Sequence, residues 1–150
     1  MTAGFQRTPG HLVRRAHQLH NTIFAQETQG RDVTAPQFAA LRALHEHPDI
    51  DQTTLSKIIS FDRATIGGLV DRLESKALVR RMIDKHDRRS RTLRLTAQGR
   101  AVLALLRPEL ERVSERMLAP LSPGEQRQLL DLLERLIAHE DDALGLERPA

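Results

Sequence analysis

The chain has no cysteine, no tryptophan and no tyrosine, and only four phenylalanines among its 150 residues. Without cysteine there are no disulfides, no zinc–thiolate sites and no oxidant sensing through a thiol. So few aromatic rings leave little for a base-stacking surface. No run of 18 apolar residues occurs, so no membrane span is expected. The start, MTAGFQRTPGHLVRR, lacks the apolar stretch of a signal peptide, and a cytoplasmic location is expected. No nucleophile–base pairing, phosphate loop or paired-carboxylate site can be picked out, so enzyme chemistry is not expected. No cofactor and no resident metal are implied.

Apolar residues make up 39% of the chain and charged residues 29%, a mix that suits one helix-rich globular domain. The net charge of +3 is unevenly spread. Residues 53–94 carry 11 Lys and Arg against 5 Asp and Glu, a balance of +6, and the remainder is at −3. A basic centre between acidic flanks points to a polyanion partner. A merely solvated charged surface is the alternative, but random scatter does not concentrate charge in this way.

Hydrophobic periodicity predicts six helical segments and one hairpin. The first helix covers residues 9–28, with Pro9 near its start and Gly30 past its end; Leu12, Ala16, Leu19, Ile23 and Phe24 line one face. Thr34 is placed to cap the second helix and Pro36 sits in its first turn. Phe38, Leu41 and Leu44 follow, and Pro48 closes it. A short helix over 53–60 comes next, and Asp62 is the expected N-cap of a fourth that runs to Ala77. The period then shortens. Residues 78–84 and 91–96 interleave apolar and basic side chains around the polar loop 85–90, which predicts a β-hairpin with an arginine-rich tip. Thr96 is expected to cap a long helix to about Leu118, bent at Pro108. Ser122, Pro123, Gly124 and Glu125 form a capping box for the last helix. There Leu129, Leu130, Leu132, Leu133, Leu136 and Ile137 cover an arc too wide for one packing surface, as in a helix that meets a second chain.

Gly67 and Gly68 stand in the middle of the fourth helix, and each costs a helix interior about 1 kcal/mol relative to alanine. The period of Ile66, Leu69, Val70 and Leu73 runs straight through them, which favours a helix over a loop. A short helix, a turn, a second helix and a basic hairpin make a winged helix-turn-helix, whose second helix enters the DNA major groove. Thr65, Gly68 and Arg72 share the face turned away from the core. A glycine there removes the side chain that would hold the helix off the bases, while Gly67 would permit close packing on the preceding helix. Arg63 and Arg72 suit phosphates or guanine edges, and Thr65 a base, a phosphate or a thymine methyl. Ala64 joins them as a DNA-binding candidate. Thr53, Thr54, Ser56 and Lys57 lie near the start of the preceding helix, where hydroxyls and backbone N–H groups can bind phosphate. Arg88, Arg89 and Arg91 suit the narrow minor groove or its flanking phosphates. Asp87, two residues before Arg89, is placed to hold its guanidinium. A solvated surface charge is the alternative for any single arginine.

The run from Thr53 to Gly99, with VDRLESKALVRR, DKHDRRS and LRLTAQGR as its strongest pieces, resembles the DNA-binding core of the MarR family of bacterial transcription regulators. The resemblance covers about a third of the chain. It implies a mainly α fold: a winged helix-turn-helix lobe over 34–96, with helices over 9–28 and 97–142 forming a dimerisation region. It also implies an obligate homodimer on palindromic operator DNA. Arg89 matches the family's minor-groove arginine, and Asp87 the aspartate that orients it. Ala77 departs from the family, which commonly has glycine there to end the recognition helix.

Many family members release DNA when a small aromatic acid binds between the dimerisation helices and the DNA-binding lobe. In the first helix His20 projects inside the apolar arc, with His17 at one edge and Arg15 at the other. A guanidinium and an imidazole beside an apolar pocket can hold an aromatic carboxylate. PGHLVRRAHQLH is similar to the first helix of regulators that respond to hydroxybenzoates or hydroxynicotinate. His11, Arg15, His17, His20, Phe24 and Phe38 are therefore the ligand-binding candidates. The alternatives are a satisfied core histidine beside a surface arginine, which would leave a constitutive regulator, and a metal-responsive one using His17 and His20 at i, i+3.

Overall fold

The computed structural model describes residues 4–144, with side chains described as far as His139. After a short 3-10 turn at Phe5–Arg7 come α1 (Pro9–Glu27), α2 (Ala35–Glu46), α3 (Gln52–Ile58) and α4 (Arg63–Ser75). β1 (Val79–Ile83) and β2 (Arg91–Leu95) form an antiparallel ribbon in which Val79 pairs with Leu95 and Ile83 with Arg91. Then follow α5 (Ala97–Leu118) and α6 (Pro123–Leu144). The mainly helical, winged architecture expected from the sequence is the one observed. Among the described residues no helix is long and apolar enough to cross a membrane.

Local chemistry sets the helix starts. Thr34 and Gln37 form a reciprocal capping box on α2, and Ser122 and Glu125 form another on α6. Asp62 accepts the N–H of Thr65 at 2.7 Å, and Thr96 accepts that of Gly99 at 3.0 Å. Such a cap contributes about 1 kcal/mol. Two boundaries differ from expectation. Asp51 caps α3 by accepting the Thr54 N–H at 2.7 Å, so this helix begins and ends earlier than 53–60. α4 stops at Ser75, short of Ala77, because Ala77 adopts the left-handed conformation at φ +58°. There the N–H of Leu78 donates to Leu73 O at 3.0 Å and that of Ala77 to Glu74 O at 2.9 Å. This is the reversal a glycine usually makes at a helix end, made here by alanine. α5 runs unbroken through Pro108.

Two apolar clusters hold the elements together. The larger joins Leu41 and Leu44 of α2, Leu55 of α3, Ile66, Val70 and Leu73 of α4, and Val79, Leu93 and Leu95 of the ribbon. Each fully buried Leu or Ile contributes about 2 kcal/mol, which fixes the α3–α4 pair and the wing root on one base. The smaller cluster packs Ile23 and Phe24 of α1 on Val113 of α5, with Phe38 of α2 against them. Glu27 adds ion pairs to Arg112 at 2.9 Å and Arg116 at 2.7 Å, tying the end of α1 to α5. Away from that end the predicted apolar face of α1 lies in water: Leu12 and Leu19 are exposed. So are Leu130, Leu132, Leu133, Leu136 and Ile137 along α6.

Candidate nucleic-acid interface and effector bay

The α3–turn–α4 pair presents one exposed surface. Ile66, Leu69, Val70 and Leu73 are buried beneath it, while Arg63, Ala64, Thr65 and Arg72 are exposed. A Cβ at Gly67 would meet Gln52 Nε2 of α3 at 3.5 Å, an ordinary contact, so close packing on α3 does not demand this glycine. A Cβ at Gly68 would meet only the Arg72 guanidinium, also at 3.5 Å. Among the described residues no packing contact requires either glycine, and the Arg72 side chain extends over Gly68.

Several candidates are placed differently from expectation. Ser56 is buried, and its hydroxyl donates to Thr53 O at 2.7 Å, so it is turned away from any phosphate. Thr53, Thr54 and Lys57 are exposed. The Thr54 N–H, however, is already taken by Asp51, and that bond holds the Asp51 carboxyl below its ordinary value. Thr65 donates its hydroxyl to Asp62 at 2.7 Å, leaving the oxygen lone pairs and the methyl for an outside partner. The same hydroxyl bond, then the backbone bond, lowers the Asp62 pKa.

At the wing tip Asp87 does not hold the Arg89 guanidinium. Its carboxylate accepts the Arg89 backbone N–H at 2.9 Å, as Asp84 accepts that of His86 at 2.8 Å. Both bonds span two residues, the spacing at which an aspartate shapes a turn. Arg88 and Arg89 are exposed, and the Arg91 guanidinium rests near the Arg88 and Ser90 carbonyls at 3.3 Å. The wing root is clamped on both faces. Arg81 reaches Asp71 at 2.7 Å and Glu74 at 2.8 Å on α4. Arg94 pairs through Nε and Nη2, one edge of its guanidinium, with both carboxylate oxygens of Asp49 in the α2–α3 turn. That bond, ahead of burial, raises the Arg94 pKa and lowers the Asp49 pKa. Neither clamp was foreseen from the sequence, because partners 45 and 7–10 residues apart meet only once the ribbon is docked.

A cavity of about 430 Å³ lies between α1, α2 and α5, lined by His20, Phe24, Phe38, Arg42, Leu110 and Val113 among others. The His20 and Phe24 rings are 6.3 Å apart and those of Phe24 and Phe38 are 6.2 Å apart. The structure thus brings together three of the six ligand candidates. The others lie off the cavity. His11 packs on the Phe5 ring at 4.9 Å, His17 contacts the Asn21 amide at 3.2 Å, and Arg15 is exposed. They sit on the part of α1 that neither α2 nor α5 covers. The guanidinium at the cavity is Arg42, bridged to Glu46 at 2.9 Å. It was missed because it follows Leu41 on α2, where only tertiary packing reveals it. Among the described residues no three His, Asp or Glu side chains are grouped to hold a metal.

A helix–turn–helix followed by a basic two-stranded ribbon and longer flanking helices is the arrangement of winged helix-turn-helix proteins. Comparison with known proteins narrows the class. The model of the MarR family matches residues 33–90. The chain is 37% identical over 134 residues to the HTH-type transcriptional repressor NicR of Pseudomonas putida, covering 89% of this chain and 85% of that one. Among solved structures it is similar to Bordetella bronchiseptica BpsR, described for the regulation of its DNA binding by 6-hydroxynicotinic acid. There the TM-score is 0.86 at 32% identity, covering 91% of this chain and 97% of BpsR. The repressor CouR bound to a 23-mer DNA duplex gives a TM-score of 0.83 at 26% identity, over 91% and 97% of the two chains. The chain belongs to the MarR family of DNA-binding transcription regulators.

Proposed function

We propose that this chain is a homodimeric repressor of palindromic operator DNA, released when a small aromatic carboxylate enters the bay between His20, Phe24, Phe38 and Arg42. The observation that carries the reading is the composition of that bay. Two phenyl rings give an apolar wall for an aromatic ring, the Arg42 guanidinium can exchange its exposed Glu46 bridge for a ligand carboxylate, and an imidazole can bond a ring hydroxyl. The regulation of BpsR by 6-hydroxynicotinic acid supports that chemistry, and the CouR complex supports duplex DNA as the partner. The exposed leucines of α6 and α1 favour a second copy of the chain as the dimer partner.

The mechanism follows from position. Phe38 belongs to α2 of the DNA-binding lobe, whereas Leu110 and Val113 belong to α5 of the arm. A ligand wedged between them prefers one lobe-to-arm spacing. Recognition helices must stand about 34 Å apart to read two half-sites. A ligand that prefers another spacing releases DNA by its difference in affinity for the two states.

The test is fluorescence anisotropy at fixed salt, on DNA from upstream of the protein's own gene and on a scrambled duplex. Each titration is repeated with 6-hydroxynicotinate, hydroxybenzoates and hydroxycinnamates. His20→Ala and Arg42→Met should each keep basal DNA binding and abolish release. Specific binding that no acid disturbs would overturn the effector and favour a constitutive or metal-responsive regulator.

A further inference from the structure

Not all of the positive charge in the wing faces outward. The Arg81 side chain is only 28% exposed. On the ribbon it pairs with Leu93, which is buried, so the two share the face turned to α4. Its Nη1 donates to Glu74 Oε1 at 2.8 Å and its Nη2 to Asp71 Oδ1 at 2.7 Å. Its backbone N–H donates to the other Glu74 oxygen at 3.2 Å. Asp71 and Glu74 are three residues apart on α4, hence neighbours on one helix flank. One guanidinium fork therefore spans two carboxylates of α4 from the first strand of the wing. The planar fork gives this contact direction as well as attraction.

We propose that Arg81 is a positioning residue that sets the wing's angle against the recognition helix and makes no phosphate contact itself. The rest of the geometry agrees. Arg88 and Arg89 at the tip are exposed, and neither guanidinium is engaged within the loop among the described residues. The opposite face of the ribbon is anchored by Arg94 on Asp49, and the outer edge of β2 by the Leu93 N–H on Ile50 O at 2.8 Å. The wing root is thus braced from two sides and its tip is left to reach. The inference rests on the wing and α4 both meeting DNA, as in the proposed function.

The sign of one mutational effect tests it. Replacing Asp71 and Glu74 together with alanine removes two negative charges next to a polyanion, which by electrostatics alone tightens DNA binding. If the clamp positions the wing, the double variant binds about tenfold more weakly, the equivalent of one charge-assisted hydrogen bond. Both carboxylates are on an exposed helix surface, where alanine favours the helix, and a thermal melt checks the fold. Arg81→Lys is the second variant. Lysine keeps the charge and would preserve a phosphate contact, but it lacks the fork. It should weaken binding to a similar extent with an unchanged slope of log K against log salt. Tighter or unchanged binding by the double alanine variant overturns the proposal, as does full rescue by lysine. Arg89→Ala, run alongside, separates the two readings. If it changes nothing, the wing itself does not meet DNA. If it weakens binding while the clamp variants do not, only the positioning role fails.

Discussion

A Cβ atom added at Gly99 would lie 2.1 Å from the carbonyl oxygen of Leu78. That carbonyl also accepts the N–H of Thr96 at 3.1 Å, so it is pinned where the strand enters and the long helix starts. The neighbour in the way is backbone, which cannot rotate aside as a flexible side chain would. Gly99→Ala should destabilise the protein by about 1–3 kcal/mol, the usual range for overpacking. Urea denaturation measures it, and a midpoint equal to the parent's would show that the first turn of α5 can slide.

The converse holds at Ala77. Its φ of +58° is a conformation in which an L-residue crowds its own carbonyl, at a cost of about 1–2 kcal/mol. Glycine removes the crowding but adds freedom to the unfolded chain, worth about 0.4–1 kcal/mol. Ala77→Gly should therefore raise stability by up to about 1.5 kcal/mol. A lower denaturation midpoint would contradict the assigned helix end.

Arg89 sits exposed at the wing tip with only its backbone engaged. Arg89→Ala should weaken DNA binding and reduce the salt slope by about one unit if the residue neutralises one phosphate. Titrations at several salt concentrations read both quantities. If affinity and slope both stay the same, the tip is not part of the interface.

Acid should loosen α4 through its cap. Hydrogen bonds from the Thr65 side chain and then its backbone hold the Asp62 pKa below the ordinary 3.8. A depressed carboxylate contributes stability that is fully present above its unfolded value and is lost as pH falls through its folded value. Asp62→Asn keeps a capping oxygen but has no charge to lose. Its melting temperature should fall less than the parent's on acidification below about pH 4. Parallel profiles would mean that this cap is equally strong with the carboxyl protonated.

What was legible in the sequence was whatever is written within a few residues. Thr34, Asp62, Thr96 and Ser122 cap the helices they precede, and the apolar period through Gly67 and Gly68 identified a continuous α4. Of the six ligand candidates, His20, Phe24 and Phe38 line one cavity, whereas His11, Arg15 and His17 lie off it. Illegible were the features that exist only after docking. A serine reads as surface, yet Ser56 follows Leu55 into the interior and satisfies its hydroxyl on its own helix. Arg81 and Arg94 read as part of a basic patch, and only the folded ribbon reveals the carboxylates they face. Gly99 carries no local sign at all, because the atom it must avoid is the carbonyl oxygen of Leu78, the residue just before β1.

The loop at the wing tip takes its form from Asp84 and Asp87 bonding backbone N–H groups, supported by Ser90 N–H to Asp87 O at 3.0 Å. Arg91 adds guanidinium bonds to the Arg88 and Ser90 carbonyls, but the Arg88 and Arg89 side chains are not part of that frame. Form and the side chains offered to a partner are therefore carried by different residues. A single codon change at position 88 or 89 leaves the turn that presents it intact. If the tip meets DNA as proposed, operator preference can drift in small steps here, with no refolding in between.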